Sequence, residues 1–171
     1  VAQAIINRRL ESRARGGGSY LYAQVRQDDI SRSTDSTIIS MAPLSGDWRA
    51  ALDDVRGVIA DALKNPPTQA EIDREISGFD SVFESEFEQR RVLAGSKLAD
   101  QIVNAVDIRE TVAAPETVLN VFRAMNARFT PDEVLKRTSN LFKGDVLRAV
   151  YVTPEMGTAD QNLLRAAFAL P

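Results

Sequence analysis

The chain has 171 residues, enough for one domain with a sizeable core, and it contains neither histidine nor cysteine. Those absences exclude an ordinary zinc site, a cysteine protease and a serine hydrolase with an imidazole base, leaving acid/base work to carboxylates, Lys or Tyr of strongly shifted pKa. The net charge of −3 lacks the basic excess that nucleic acid attracts, and no apolar run approaches the ~20 residues that span a bilayer.

Ile5, Ile6, Leu10 and Ala14 recur at helical spacing and predict an amphipathic helix running to about Arg15. The pattern is already under way at Val1 with no cap ahead of it, so the chain is expected to be cut from a longer polypeptide, with any targeting signal upstream of the cut. Gly16-Gly17-Gly18 ends the helix. In Ser19 to Gln27, Leu21, Ala23 and Val25 alternate with Tyr20, Tyr22, Gln24 and Arg26, the period of a half-buried strand. Asp28, Asp29, Ser31 and Ser33 read as a turn, and Ser36 to Pro43 as a second strand carrying Ile38, Ile39 and Met41. The pair is expected to form an antiparallel hairpin with a long loop.

Helices follow. Asp47 is placed to cap one that shows Trp48, Leu52, Val55, Ile59 and Leu63 on one face, and Asn65-Pro66-Pro67 breaks it. Thr68 with Glu71 is a capping box opening a long helix whose Ile72, Ile76, Phe79, Phe83 and Phe87 form a core-facing stripe. A helix over Ser96 to Asp107 carries Leu98, Ile102, Val103 and Val106, and another from Pro115 carries Val118, Leu119, Phe122 and Met125. Thr130-Pro131-Asp132-Glu133 combines an N-cap, a first-turn proline and a capping glutamate. Val146 to Val152 is mostly apolar on both faces and predicts a strand central in its sheet. Thr158 and Gln161 suggest a last box before a helix with Leu163, Leu164, Ala167 and Phe168. Strands and helices are segregated, so the expected class is α+β, an antiparallel or mixed sheet with helices packed on one face. Three strands are few for so much helix, and one or two strands preceding Val1 would complete the sheet.

Several segments together carry a resemblance. I-I-N-R-R-L-E-S-R-A-R leads through a short loop to S-Y-L-Y; S-G-D-W-R-A-A-L-D-D-V, P-T-Q-A-E-I-D-R-E-I and F-T-P-D-E-V follow in order, then a strand and a terminal helix. This succession resembles the non-catalytic domains of the insulinase/pitrilysin/mitochondrial-processing-peptidase family of zinc metallopeptidases, with D-W-R-A-A-L and T-Q-A-E-I-D most like bacterial, often periplasmic, members. The resemblance implies a clamshell of homologous α+β domains, one of which carries an inverted H-x-x-E-H zinc motif. In that motif two imidazoles on one helix face bind the metal and the glutamate activates its water. Residues 1–171 would then be a single non-catalytic domain with no catalytic and no metal-ligating residue of its own, zinc being held by the catalytic domain of the parent protein. Its partners would be homologous domains of the same chain or of a sister subunit, together with a peptide substrate; neither nucleic acid nor a membrane span is expected. The segments lean toward the domain directly after the catalytic one, with a place in the second half of the clamshell still open. The resemblance points to the periplasm, while the lack of cysteine suits a reducing cytosol equally.

The resemblance also implies a site. Family members often carry an Arg and a Tyr seven residues apart across a helix–loop–strand junction, which hold the substrate backbone. Arg15 and Tyr22 align best with that spacing, and Arg13 and Tyr20 share it. The loop here, Gly16-Gly17-Gly18-Ser19, departs from the R-G-L-A-Y-S-like run usual in the family. An Arg there can bind a peptide carbonyl or a developing oxyanion, and a Tyr can donate to it.

Other groupings point less far. Arg8, Arg9, Arg13 and Arg15 suggest either an acidic partner or a solvated helix face. Glu84, Glu86 and Glu88 lie two apart and do not face one another on a helix; Asp28-Asp29 and Asp53-Asp54 lack calcium-loop spacing; the glycine run lacks the Lys-Ser/Thr of a phosphate loop. No pair of acids is marked out for glycosidase chemistry. The rival functional expectation is a structural assembly protein of the same fold with no peptidase activity.

Overall fold

The first helix is the centre of the packing. A computed structural model describes residues 1–30, 33–92, 94–107, 109–155 and 160–169. The order is α1 (Ala2–Arg15), β1 (Tyr20–Ile30), β2 (Thr34–Pro43), α2 (Trp48–Lys64), α3 (Gln69–Gln89), α4 (Gly95–Asp107), α5 (Pro115–Met125), a 3-10 turn (Asn126–Arg128), α6 (Pro131–Leu141) and α7 (Gln161–Ala169). One side of α1 buries Ile6 and Leu10 against Tyr20 and Val25 of β1 and against Ala51, Val55, Ile59 and Ala62 of α2. Its other side buries Ile5 against Ile72 of α3 and Val134 of α6. Each fully buried aliphatic side chain contributes about 1.5–3 kcal/mol, which makes α1 the hub of the fold.

The expected α+β class is what the structure shows: an antiparallel hairpin with helices against one face. The caps form where the local sequence places them. Asp47 accepts from the Ala50 N–H, Thr68 and Glu71 close a reciprocal capping box, and Thr130 accepts from the Glu133 N–H. These bonds satisfy helix-terminal donors that have no partner inside the helix. The phenylalanine stripe is also packing: Phe83 and Phe79 meet Phe122 of α5 edge-on, at 5.1 and 6.2 Å between ring centroids, and Phe129 lies 6.0 Å beyond.

Several expectations need correction. The hairpin connection is shorter than expected, because Asp28 and Asp29 are paired residues of β1, opposite Ser36 and Asp35. On α2 the buried face turns toward Ala51 and Ala62, leaving Leu63 more than a third exposed. The segment Val146 to Val152 is neither helix nor strand, and among the described residues β1 and β2 make the whole sheet. The helix expected over Ser96 to Asp107 does form, as α4, though none of its residues is buried. Thr158, proposed as a cap for α7, lies outside the described residues; the Asp160 carboxylate accepts there instead, from the N–H groups of Asn162 and Leu163 at 2.7 and 3.2 Å.

Within β1 the alternation breaks. The ladder pairs Tyr20 with Pro43 and Tyr22 with Ala42, so Leu21 is an extra residue without an opposite. Such a bulge shifts the side-chain parity of everything on one side of it. Tyr20 therefore joins Val25 in the core, at 1% and 0% exposure, while Leu21 stands 69% exposed. The sequence pattern had set Tyr20 on the opposite face from Val25.

Candidate functional site at the α1–β1 junction

The junction begins with a tight reversal. Gly17 has φ of 90°, a left-handed conformation that only glycine adopts without strain. The Gly18 N–H donates to the Arg13 carbonyl at 2.9 Å, and a β-carbon on Gly18 would stand 2.9 Å from that same oxygen, so no larger residue fits. Asp54 of α2 braces the turn. One carboxylate oxygen accepts from the Ser19 N–H at 2.7 Å, and the other accepts from Arg13 Nε at 3.1 Å. The Arg13 guanidinium and the Ser19 amide hold the Asp54 carboxyl below its ordinary range. The Tyr20 hydroxyl then donates to the Leu10 carbonyl at 2.8 Å inside the core, and burial, with the Asp54 charge nearby, pushes its pKa up.

This geometry separates the two Arg–Tyr pairs of equal spacing. Arg13 and Tyr20 are engaged with the fold: one tied to Asp54, the other buried and bonded to α1. Arg15 and Tyr22 face outward. Arg15 sits on the exposed end of α1 in an ion pair with Glu11, and Tyr22 is half-exposed on β1. Tyr22 lines a shallow groove between α1 and β1 together with Ala4, Asn7, Arg8, Glu11, Ala23 and Gln24. Glu11 connects the pair, since it lines the groove with Tyr22 and is ion-paired with Arg15. The groove presents the Tyr22 phenol, the Asn7 and Gln24 carboxamides and the Arg8 guanidinium, of which Asn7 and Arg8 already bond to Val25 and Glu75.

The remaining arginines of α1 are spoken for. Arg9 donates from Nε and Nη2 to the two Glu71 oxygens at 2.8 and 3.1 Å and from Nη1 to Asp61 at 3.2 Å; Arg8 pairs with the buried Glu75. The forked Arg9–Glu71 pair, with Thr68 donating as well, holds the Glu71 carboxyl down at about 2. The acids that Arg8, Arg9 and Arg13 meet belong to α2 and α3 of this same chain, while Arg15 stays on the solvated end of α1 with Glu11. Sequence reasoning missed Asp54, Asp61, Glu75 and the second role of Glu71, because the partners lie far apart in the chain. It also missed Asn7, whose position between the core residues Ile6 and Leu10 of a helix interior was a usable signal, since Asn there needs a bonding reason.

A zinc site of the insulinase kind does not fit these residues. The sequence has no imidazole or thiolate to offer, and among the described residues no three carboxylates converge on one point.

No family model matches the sequence, and no curated protein does. Solved structures match. The first half of the periplasmic protease PqqL from Escherichia coli superposes with a TM-score of 0.73 at 13% identity, over 81% of this chain and 30% of that one. The chain has the fold of an insulinase-family protease domain. The PqqL structure as a whole gives a TM-score of 0.74 at 14% identity, over 82% of this chain and 16% of that one. A predicted insulinase family protease from Yersinia pestis gives 0.73 at 14% identity, over 98% of this chain and 37% of that one. The chain thus spans no more than 37% of the length of these structures. Among its described residues no helix is long and apolar enough to cross a membrane.

Proposed function

We propose that these 171 residues form a non-catalytic domain of a zinc-dependent peptidase, walling the substrate chamber and docking against sister domains, with no proteolysis of their own. One observation carries the reading: a chain with the fold of protease domains possesses none of the imidazole or thiolate donors that zinc chemistry uses. The metal and its water then belong to another domain, and this one contributes shape and grip. The groove beside Tyr22, whose lining residue Glu11 is ion-paired with Arg15, is where it would touch peptide. A periplasmic location accords with that of PqqL.

The test is made on the complete encoded polypeptide and on residues 1–171 alone. The complete polypeptide cleaves an unstructured peptide in a zinc-dependent manner, and residues 1–171 neither cleave it nor retain zinc after dialysis. Stoichiometric zinc in the 171-residue chain by elemental analysis, or turnover by it unaided, overturns the proposal. A complete polypeptide that binds no zinc and cleaves nothing supports the assembly role instead.

A further inference from the structure

Helix α4 is amphipathic along its whole length, yet none of its residues is buried. At the helical period Leu98, Ala99, Ile102, Val103, Ala105 and Val106 gather on one side, and every charged residue of the helix lies on the other. Leu98, Ile102, Val103 and Val106 are 48%, 40%, 65% and 60% exposed. By contrast α1, α2, α3, α5 and α6 each bury at least one apolar residue. A helix of 13 residues is marginal in water on its own, because most helical stability in proteins comes from packing an apolar face. Its C-terminal closure adds to that need. Arg109 is left-handed, with φ of 59°, and its N–H donates to the Val106 carbonyl at 3.2 Å while the Glu110 N–H donates to the Ala105 carbonyl at 2.8 Å. That closing turn is normally made by glycine, and arginine adopts it only under strain. The polar side of α4 carries one lysine against two aspartates, so it lacks the basic residues that draw an amphipathic helix to an anionic bilayer. Ala99 and Ala105 lie among the larger side chains and let a second helix approach closely. In three solved structures with this fold the chain accounts for 30%, 16% and 37% of the polypeptide, so most of each lies outside the part it matches.

We infer that the Leu98–Val106 side of α4 is an interface inside the complete encoded polypeptide, packed against an apolar helix face that lies outside these 171 residues. The interface accounts for an amphipathic helix that finds no cover among the described residues. It does not require peptidase activity, because an inactive assembly protein of the same fold would bury the same side.

Thiol labelling of the complete encoded polypeptide tests it without reading catalysis, since these 171 residues contain no cysteine. Ile102→Cys, on the apolar side, reacts with N-ethylmaleimide at least about a hundredfold slower than Asn104→Cys on the polar side, at every protein concentration. The unsubstituted polypeptide gives a second reading: amides of α4 exchange at least about a hundredfold slower than in a synthetic peptide of residues 95–107. Equal labelling of the two positions, or exchange as fast as in the free peptide, overturns the inference. So does slow labelling of Ile102→Cys that sets in only as concentration rises, alongside a dimer in sedimentation, since the cover is then a second copy. Slow labelling that requires added anionic phospholipid vesicles overturns it as well, since the cover is then a membrane surface.

Discussion

The Asn7 side chain and the backbone of Val25 form a closed pair: Asn7 Nδ2 donates to the Val25 carbonyl at 2.9 Å, and the Val25 N–H donates to Asn7 Oδ1 at 2.6 Å. A carboxamide with one donor and one acceptor in plane presents what a neighbouring strand would present. It fastens α1 to the edge of β1 and blocks strand addition there. Asn7→Leu leaves both Val25 groups without partners at a partly buried edge, and a loss of about 1–3 kcal/mol is expected. Asn7→Asp keeps the acceptor, sets a carboxylate against the Val25 carbonyl, and is expected to cost a similar amount. Urea midpoints should fall with the slope unchanged; a midpoint equal to that of the parent chain for Asn7→Leu would show that the pair adds nothing.

Tyr20 and Tyr22 stand two residues apart and should respond oppositely to loss of the hydroxyl. The Tyr20 hydroxyl is bonded to the Leu10 carbonyl inside the core, so Tyr20→Phe is expected to cost about 1 kcal/mol. Tyr20→Ala, which also empties a core position, is expected to cost about 3–5 kcal/mol. Tyr22 is half-exposed, so Tyr22→Phe should change stability by no more than about 0.5 kcal/mol. Thermal unfolding of the three variants checks the order; equal effects of the two Phe substitutions would deny the bulge at Leu21 its role in sorting them.

How much of this was readable beforehand depends on the distance between partners. The caps at Asp47, Thr68 and Thr130 involve residues three apart, and the residue types alone identify them. The C-terminal end of α1 and the glycine turn were legible for the same reason. The bulge was not, because a strand's parity is set by its pairing with β2, and nothing in S-Y-L-Y announces an extra residue. Nor were the ion pairs of Arg8, Arg9 and Arg13, whose acids lie 41 to 67 residues away. The Arg–Tyr spacing was legible twice over, and only the fold tells the engaged pair from the exposed one. Val146 to Val152 shows the converse case: the sequence pattern is that of an interior strand, and the neighbours it calls for are not among the described residues.

The forked Arg9–Glu71 pair predicts a particular acid sensitivity. Glu71 is held at about 2, against an ordinary value of 4.5. A carboxyl lowered by folding contributes stability above its unfolded value, and that contribution is lost as pH falls toward its folded value. The loss should therefore run from about pH 4.5 down to about 2. Asp54, also lowered, acts with the same sign. Glu71→Gln removes this proton linkage, so its stability should fall less steeply than that of the parent chain across the window. Parallel curves of urea midpoint against pH would show that the Arg9 pair does not set the acid limit.

The proposed substrate grip separates from the scaffold by its pattern of effects. In the complete polypeptide, Arg15→Ala and Tyr22→Phe remove groups at and beside the Tyr22 groove that the fold does not need, because Arg15 is on the exposed end of α1 in an ion pair with Glu11 and Tyr22 is half-exposed. Each should lower kcat/KM for peptide cleavage by about tenfold to a hundredfold while leaving thermal stability within about 0.5 kcal/mol. The matched controls are Arg13→Ala and Tyr20→Phe, which share the spacing but lose bonds to Asp54 and Leu10. They should lower stability and leave cleavage by the folded fraction unchanged. Cleavage that survives both outward substitutions intact would make Arg15 and Tyr22 surface residues with no hold on peptide. A stability loss matching the activity loss would assign them to the scaffold, as Arg13 and Tyr20 already are.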